Sequence, residues 1–170
     1  MLVTKPKFGG FSLIELMVTI AILAIAAAIA FPSVKVQITN SQVRNAAESI
    51  ANGLQKARAE AVTRNANVEF VLGTDTSWTV QLPDATNIES RSGSEGSASV
   101  SRTTTPGTAT KATFNNFGGV VANADTTASL SQVNLTATNA SKPLQVRILA
   151  GGSVRMCDPS LSVATDARGC

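Results

Sequence analysis

Hydrophobic residues fall along this chain in three successive patterns, each predicting a different element. From Leu16 to Val34 there are 19 residues without a charge. As a helix rising about 1.5 Å per residue, such a stretch spans roughly 29 Å, enough to cross the apolar core of a bilayer. Glu15 sits directly before it, and an acid at that depth is costly unless a cation meets it. Pro32 removes a backbone donor and crowds the preceding turn, so a bend or local melting is expected over residues 28–32.

Next, Val43, Ala47, Ile50, Leu54, Ala57 and Ala61 recur at spacings of 4, 3, 4, 3 and 4, which makes one narrow apolar helix face. Arg44, Glu48, Gln55, Lys56, Arg58, Glu60 and Arg64 fall on the other faces. Glu60 and Arg64, four apart, pair for a few tenths of a kcal/mol. A coiled coil would show the same spacing, but the stripe is poor in large aliphatics and lasts barely three heptads. Packing on the protein's own sheet is the preferred reading, with the helix ending at Asn65–Asn67.

Beyond that point the period becomes extended. Strands are expected at 68–72, 77–82, 98–103, 111–116, 130–138, 144–149 and 153–157, several alternating apolar with polar residues and rich in β-branched types. Turn-forming stretches separate them, including the pairs Gly118-Gly119 and Gly151-Gly152. Residues 89–110 are so rich in Ser, Thr and Gly that little apolar surface is available for burial. A flexible loop or a variable contact surface are the two readings of that segment. The expected fold class is α+β: a long N-terminal helix, hydrophobic in its first half and amphipathic in its second, packed on an antiparallel β-sheet head.

Composition narrows the chemistry. The chain has no His, which removes the commonest general base and zinc ligand together. Asp75, Asp84, Glu89, Glu95, Asp125, Asp158 and Asp166 are scattered singly through turn-like segments, without the spacing of a carboxylate dyad or a metal loop. We therefore expect no enzyme, no cofactor, no metal and no small-molecule substrate. Net charge is +3, yet two of the cations, Lys5 and Lys7, precede Gly9-Gly10. Residues 35–64 carry five basic and two acidic residues, and residues 65–170 carry seven and eight, so the excess belongs to the helix and not the head.

The leader explains the acid. A basic segment before an apolar run describes a secretory signal peptide or a plain signal anchor, but the small-residue cleavage pattern of a signal peptide follows the run. Here the glycine pair precedes it, in KFGGFSLIEL. This stretch resembles the class III signal of type IV prepilins and type II secretion pseudopilins. The resemblance implies cleavage by a prepilin peptidase between Gly10 and Phe11, N-methylation of Phe11, and retention of the stem. Glu15 becomes the fifth mature residue, where the family has the glutamate thought to meet a neighbouring subunit's terminal amine during assembly. Pro32 becomes the twenty-second, where many pilins have a helix-kinking proline. A carboxylate sitting merely at the headgroup level is the alternative for Glu15. The implied organisation is a leader at 1–10, a transmembrane and filament-core helix at 11–34, an amphipathic helix at 35–64 and a β-rich head at 65–170.

LQKARAEAVTRN, FNNFGG and VRILAGGSVRMC resemble, more loosely, segments of the GspH/FimT group of minor pilins and pseudopilins. That reading places the head in an oxidising periplasm, so a disulfide between Cys157 and Cys170 is expected, with two free thiols as the alternative. The tail is similar to that of a minor pilin that also ends in a cysteine-closed loop. DNA-binding competence pilins of the group carry a Gly-Arg-x-Arg motif, which this tail lacks. Nucleic acid is thus a partner to test and not to favour, through Lys142, Arg147, Arg155 and Arg168.

The function implied is a minor pilin that enters a type IV pilus and helps prime its assembly, serving twitching, adhesion or DNA uptake. Alternatives are a DNA-binding competence pilin and a minor pseudopilin of type II secretion. The implied partners are other major and minor pilins and the prepilin peptidase. The implied location is the bacterial inner membrane, with a single pass and a periplasmic head, and then the pilus or pseudopilus.

Overall fold

The computed structural model describes residues 10–170; the rest of the expected leader lies outside the described residues. Helix α1 (Leu13–Arg64) is followed by β1 (Val68–Leu72), β2 (Trp78–Gln81), β3 (Asn87–Arg91), β4 (Val100–Thr105), β5 (Lys111–Phe114), β6 (Val120–Val121), β7 (Gln132–Ala137), β8 (Leu144–Ile148) and β9 (Val154–Cys157). The chain divides into two compact units between Lys35 and Val36.

In the first unit the helix is capped by its own sequence. Ser12 Oγ accepts the Glu15 backbone N–H at 3.3 Å, and the Ser12 carbonyl accepts the Leu16 N–H at 3.2 Å. This is the N-cap arrangement that satisfies otherwise orphaned donors. The helix continues through Pro32. Its most apolar window has a mean hydropathy of 2.6 and none of it is buried, so among the described residues one helix is long and apolar enough to cross a membrane.

In the second unit, Val43, Ala47, Ile50, Leu54, Ala57 and Ala61 are all fully buried in one cluster with Val68, Phe70, Val80, Phe114, Val133, Leu135 and Val146. The stripe therefore packs on strands of its own chain, and a coiled coil is not needed to cover it. Small residues let the helix approach closely. Gly53 faces the Phe70 and Trp78 rings, whose centroids lie 6.0 Å apart, and Trp78 Nε1–H donates to the buried Ser49 Oγ at 2.9 Å. The helix stops where expected. Asn65 adopts φ 50°, while the N–H groups of Asn65 and Ala66 return to the carbonyls of Val62 and Ala61 at 3.3 and 3.2 Å, a Schellman cap.

The strands form two antiparallel sheets, β3-β2-β1-β5-β6 and β4-β7-β8-β9, where alternation alone predicted a sheet-built head without dividing it. Every expected strand has its counterpart, and two more are present. β3 is a polar, largely exposed edge strand, and β6 is only two residues long, held by Val120 N–H on the Ala150 carbonyl at 3.0 Å.

Residues 89–110 correct an expectation: much of this segment is built structure and not a flexible loop. β4 pairs with β7 from Val100↔Ala137 to Thr105↔Gln132, and Ser97, Val100, Thr104 and Ala109 are buried. Hydroxyl groups supply what apolar surface does not. Thr76 and Ser97 hydroxyls hydrogen-bond at 2.8 Å, Ser97 Oγ donates to the Gly93 carbonyl at 2.9 Å, and Arg102 donates to the carbonyls of Gly73 and Asp75 in the β1–β2 turn.

The close helix–ring approach generates a prediction against simple propensity. Alanine exceeds glycine in a helix interior by about 1 kcal/mol, but a Cβ at Gly53 would lie 2.8 Å from both rings. Gly53→Ala is therefore expected to lower the urea midpoint of unfolding followed by circular dichroism, whereas a raised midpoint would refute the packing argument. Leu54→Ala, beside it, is expected to cost about 2–5 kcal/mol.

Candidate functional site

Chemistry in the first unit concentrates at its beginning. Gly10 and Phe11 are exposed, Phe11 at 84%, and both precede the first helical residue, Leu13. The bond between them is thus in non-helical backbone. Glu15 lies in the first turn, where a negative charge meets the positive end of the helix dipole. Its carboxylate is exposed and has no ion pair among the described residues. Leu13, Ile14, Leu16, Met17 and Ile20 around it are also exposed, so a carboxylate stands on a greasy surface that only an apolar medium or other helices would cover.

At the other end of the chain, Cys157 and Cys170 are joined by a disulfide, with Cα atoms 5.1 Å apart. The ring so closed is zipped by a bridge between Asp158 and Gly169. On the chain-entropy account a loop of this length contributes about 3 kcal/mol. Two arginines explain the tail's path. Arg147 and Arg155 are directly opposite one another on β8 and β9, a repulsive cross-strand pairing when uncompensated. Arg147 Nη1 donates to the Cys170 carbonyl at 2.9 Å, and Arg155 Nη2 to the Ala167 carbonyl at 2.9 Å. Tail carbonyls thus absorb both guanidinium groups.

The four residues named for nucleic-acid binding do not form one surface of free cations. Arg147 and Arg155 serve the tail. Arg168 grips Asp166, with Nη2 at 2.7 Å from Oδ2, and that guanidinium holds the Asp166 carboxyl down to about 2. Lys142 lies beside α1, its N–H donating to Asn40 Oδ1 at 3.1 Å.

Sequence reasoning missed three organising residues. Arg58 Nε donates to the Gly118 carbonyl at 3.0 Å, and Gly118 in turn lies against Gly152, both with φ near +76°. A Cβ on Gly152 would sit 1.7 Å from the Gly118 oxygen, so the two glycine pairs visible in the sequence are one contact, clamped by the helix. Glu69, almost wholly buried, lies 3.2 Å from Lys111 Nζ, which also reaches Asp125 at 2.8 Å. A lone glutamate inside the apolar strand VEFVL was the available signal. Asn40 is the third, its Oδ1 accepting the N–H of Ser141 at 2.9 Å as well as that of Lys142. The hydrogen bond from Lys111 holds Asp125 well below the usual carboxylate range, and Asp125 raises Lys111. Among the described residues no group of His, Cys, Asp and Glu could hold a metal ion.

These lowered carboxylates set an acid limit. Their folded pKa values lie below the unfolded value of 3.8, so their contribution is fully present above about pH 4 and is lost as pH falls from there toward 2. Stability measured by urea unfolding is expected to decline across that window. Asp166→Asn or Asp125→Asn should each flatten the decline; an unchanged slope in both variants would show that neither pair matters.

Comparison with known proteins agrees with this geometry. A family model described as Type II transport protein GspH matches residues 46–152. A second, described as the prokaryotic N-terminal methylation motif, matches residues 5–31. No curated protein sequence matches the chain. Crystal structures of the type IV minor pilin FimU of Pseudomonas aeruginosa strain PAO1 share the fold. The P21 form superposes with a TM-score of 0.54 at 16% identity, covering 70% of this chain and 90% of FimU. The P65 form gives 0.50 at 15%, covering 69% and 94%.

Proposed function

This chain belongs to the GspH family and carries the prokaryotic N-terminal methylation motif, and on that premise we propose that it is a minor pilin which enters a type IV pilus and helps prime its assembly. The observation that carries the reading is the stem: a capped helix whose large hydrophobic side chains are exposed and whose first turn carries a carboxylate, Glu15, in no ion pair among the described residues. In this reading the prepilin peptidase cleaves between Gly10 and Phe11, Phe11 is methylated, and the new ammonium of one subunit meets Glu15 of the next. That pairing removes the cost of an acid in lipid and sets the axial register between subunits. Pro32 lets the helix bend as it leaves the membrane. The protein is held first in the inner membrane with its head in the periplasm, and then among other pilins in the filament. Its role is structural and not catalytic.

The family's description favours one second reading, a minor pseudopilin of type II secretion. A DNA-binding role receives less support, because Arg147 and Arg155 are spent on the tail.

Mass spectrometry of the exported chain is expected to show an N-terminal methylated Phe11. Glu15→Leu should leave the protein in the membrane while reducing its incorporation into filaments at least tenfold, about 1.4 kcal/mol of lost pairing; normal incorporation would remove the pairing role. Deletion should reduce surface pili, whereas intact pili with impaired protein secretion would move the protein to the pseudopilus.

A further inference from the structure

Beside the disulfide-closed tail lies a groove that the assembly reading leaves unused. Its volume, about 620 Å³, is in the range that accommodates a small ligand or a few side chains of a peptide. Leu144 and Met156, both half-buried against the core, supply apolar lining, while Arg44, Lys142 and Arg168 contribute cations against a single acid, Asp158. Two of those cations already have carboxylate partners: Arg44 holds Glu48 and Arg168 holds Asp166, each at 2.7 Å.

Lys142 differs. Among the described residues it is in no ion pair, yet its backbone is fixed. Asn40 Oδ1 accepts the N–H groups of both Ser141 and Lys142, and Pro143, next in the chain, restricts the Lys142 backbone further. An anchored, unpaired ammonium beside aliphatic lining complements a carboxylate carried on an apolar backbone of contacts. We propose that this groove receives an acidic, partly aliphatic peptide segment of a neighbouring filament subunit, with a carboxylate on Lys142 and an aliphatic side chain against Leu144 and Met156.

Charge complementarity selects this occupant over a nucleic acid. The cations end at the groove instead of continuing as a stripe, since Arg147 and Arg155 are turned to tail carbonyls, and tight phosphate-backbone binding needs several such contacts. The lining also contains no aromatic side chain on which a base could stack. The source of the segment rests on the assembly reading; the chemical preference of the groove does not.

The test uses the full chain as exported, disulfide intact, in zwitterionic detergent. Fluorescence anisotropy would follow three labelled probes: a peptide alternating aspartate and leucine, the same peptide with asparagine for aspartate, and a single-stranded oligonucleotide. Saturable binding of the acidic peptide is expected, with the amide peptide about tenfold weaker. Lys142→Gln, a change at an exposed position, should weaken the acidic peptide by about three- to fivefold and leave the amide peptide unaffected. Equal affinity for the two peptides, indifference to Lys142→Gln, tighter binding of the oligonucleotide, or no binding at all would overturn the proposal. The mass of the same sample reports processing after Gly10. A processed chain that ignores peptide charge sinks this inference alone, whereas an unprocessed chain sinks the assembly reading.

Discussion

The head of this protein depends on a helix face of small residues lying close against strands. Between Val43 and Ala61 that face is built from Ala, Val, Ile, Leu and a glycine, and every stripe position is fully buried. Close approach is what small residues permit: Gly53 admits two aromatic rings that a single methyl group would displace. Close approach also brings the helix's polar flanks into use. Ser49 satisfies the Trp78 indole, Arg58 clamps the turn that holds Gly118, and Asn40 fixes the turn before β8. The helix therefore organises both the apolar core and the loops around it.

With little aromatic surface, the remaining order comes from polar groups that satisfy one another. The Ser/Thr/Gly-rich segment is held by buried hydroxyls and by Arg102 reaching two carbonyls of another turn. The tail is held by a disulfide and by two arginines that would otherwise repel. Among the described residues, no buried side-chain nitrogen or oxygen lacks a hydrogen-bond partner. In a low-dielectric interior such groups are costly unless paired and position their neighbours when paired. Composition counts apolar surface and cannot count these pairings, which is why a segment read as loose is in fact a paired edge strand and its anchors.

The same principle separates the charges that build the head from those available to partners. Glu69, Lys111 and Asp125 close on one another, and Arg147, Arg155 and Arg168 are engaged within the chain. Two groups stand apart: Glu15 on the stem and Lys142 beside the tail. Both are unpaired among the described residues and both lie beside exposed or half-buried aliphatic surface. An acid in one apolar setting and a cation in another are features that association with further subunits would satisfy.

The linear order of residues determined the helix, its two chemical halves, its polar end, the buried stripe and seven of the strands, because periodicity is a local property that neighbouring residues impose on one another. It also carried the glycine pair, the glutamate and the proline in register, since these are fixed offsets along one short stretch of chain. Pairings between distant segments were decided only in three dimensions. The division into two sheets, the meeting of Gly118 with Gly152, the burial of Glu69 beside Lys111 and the turning of two arginines onto the tail each join residues well separated along the chain. No local pattern encodes such a contact; it forms because a buried donor or a conflicting charge must find a partner wherever the folded chain brings one near.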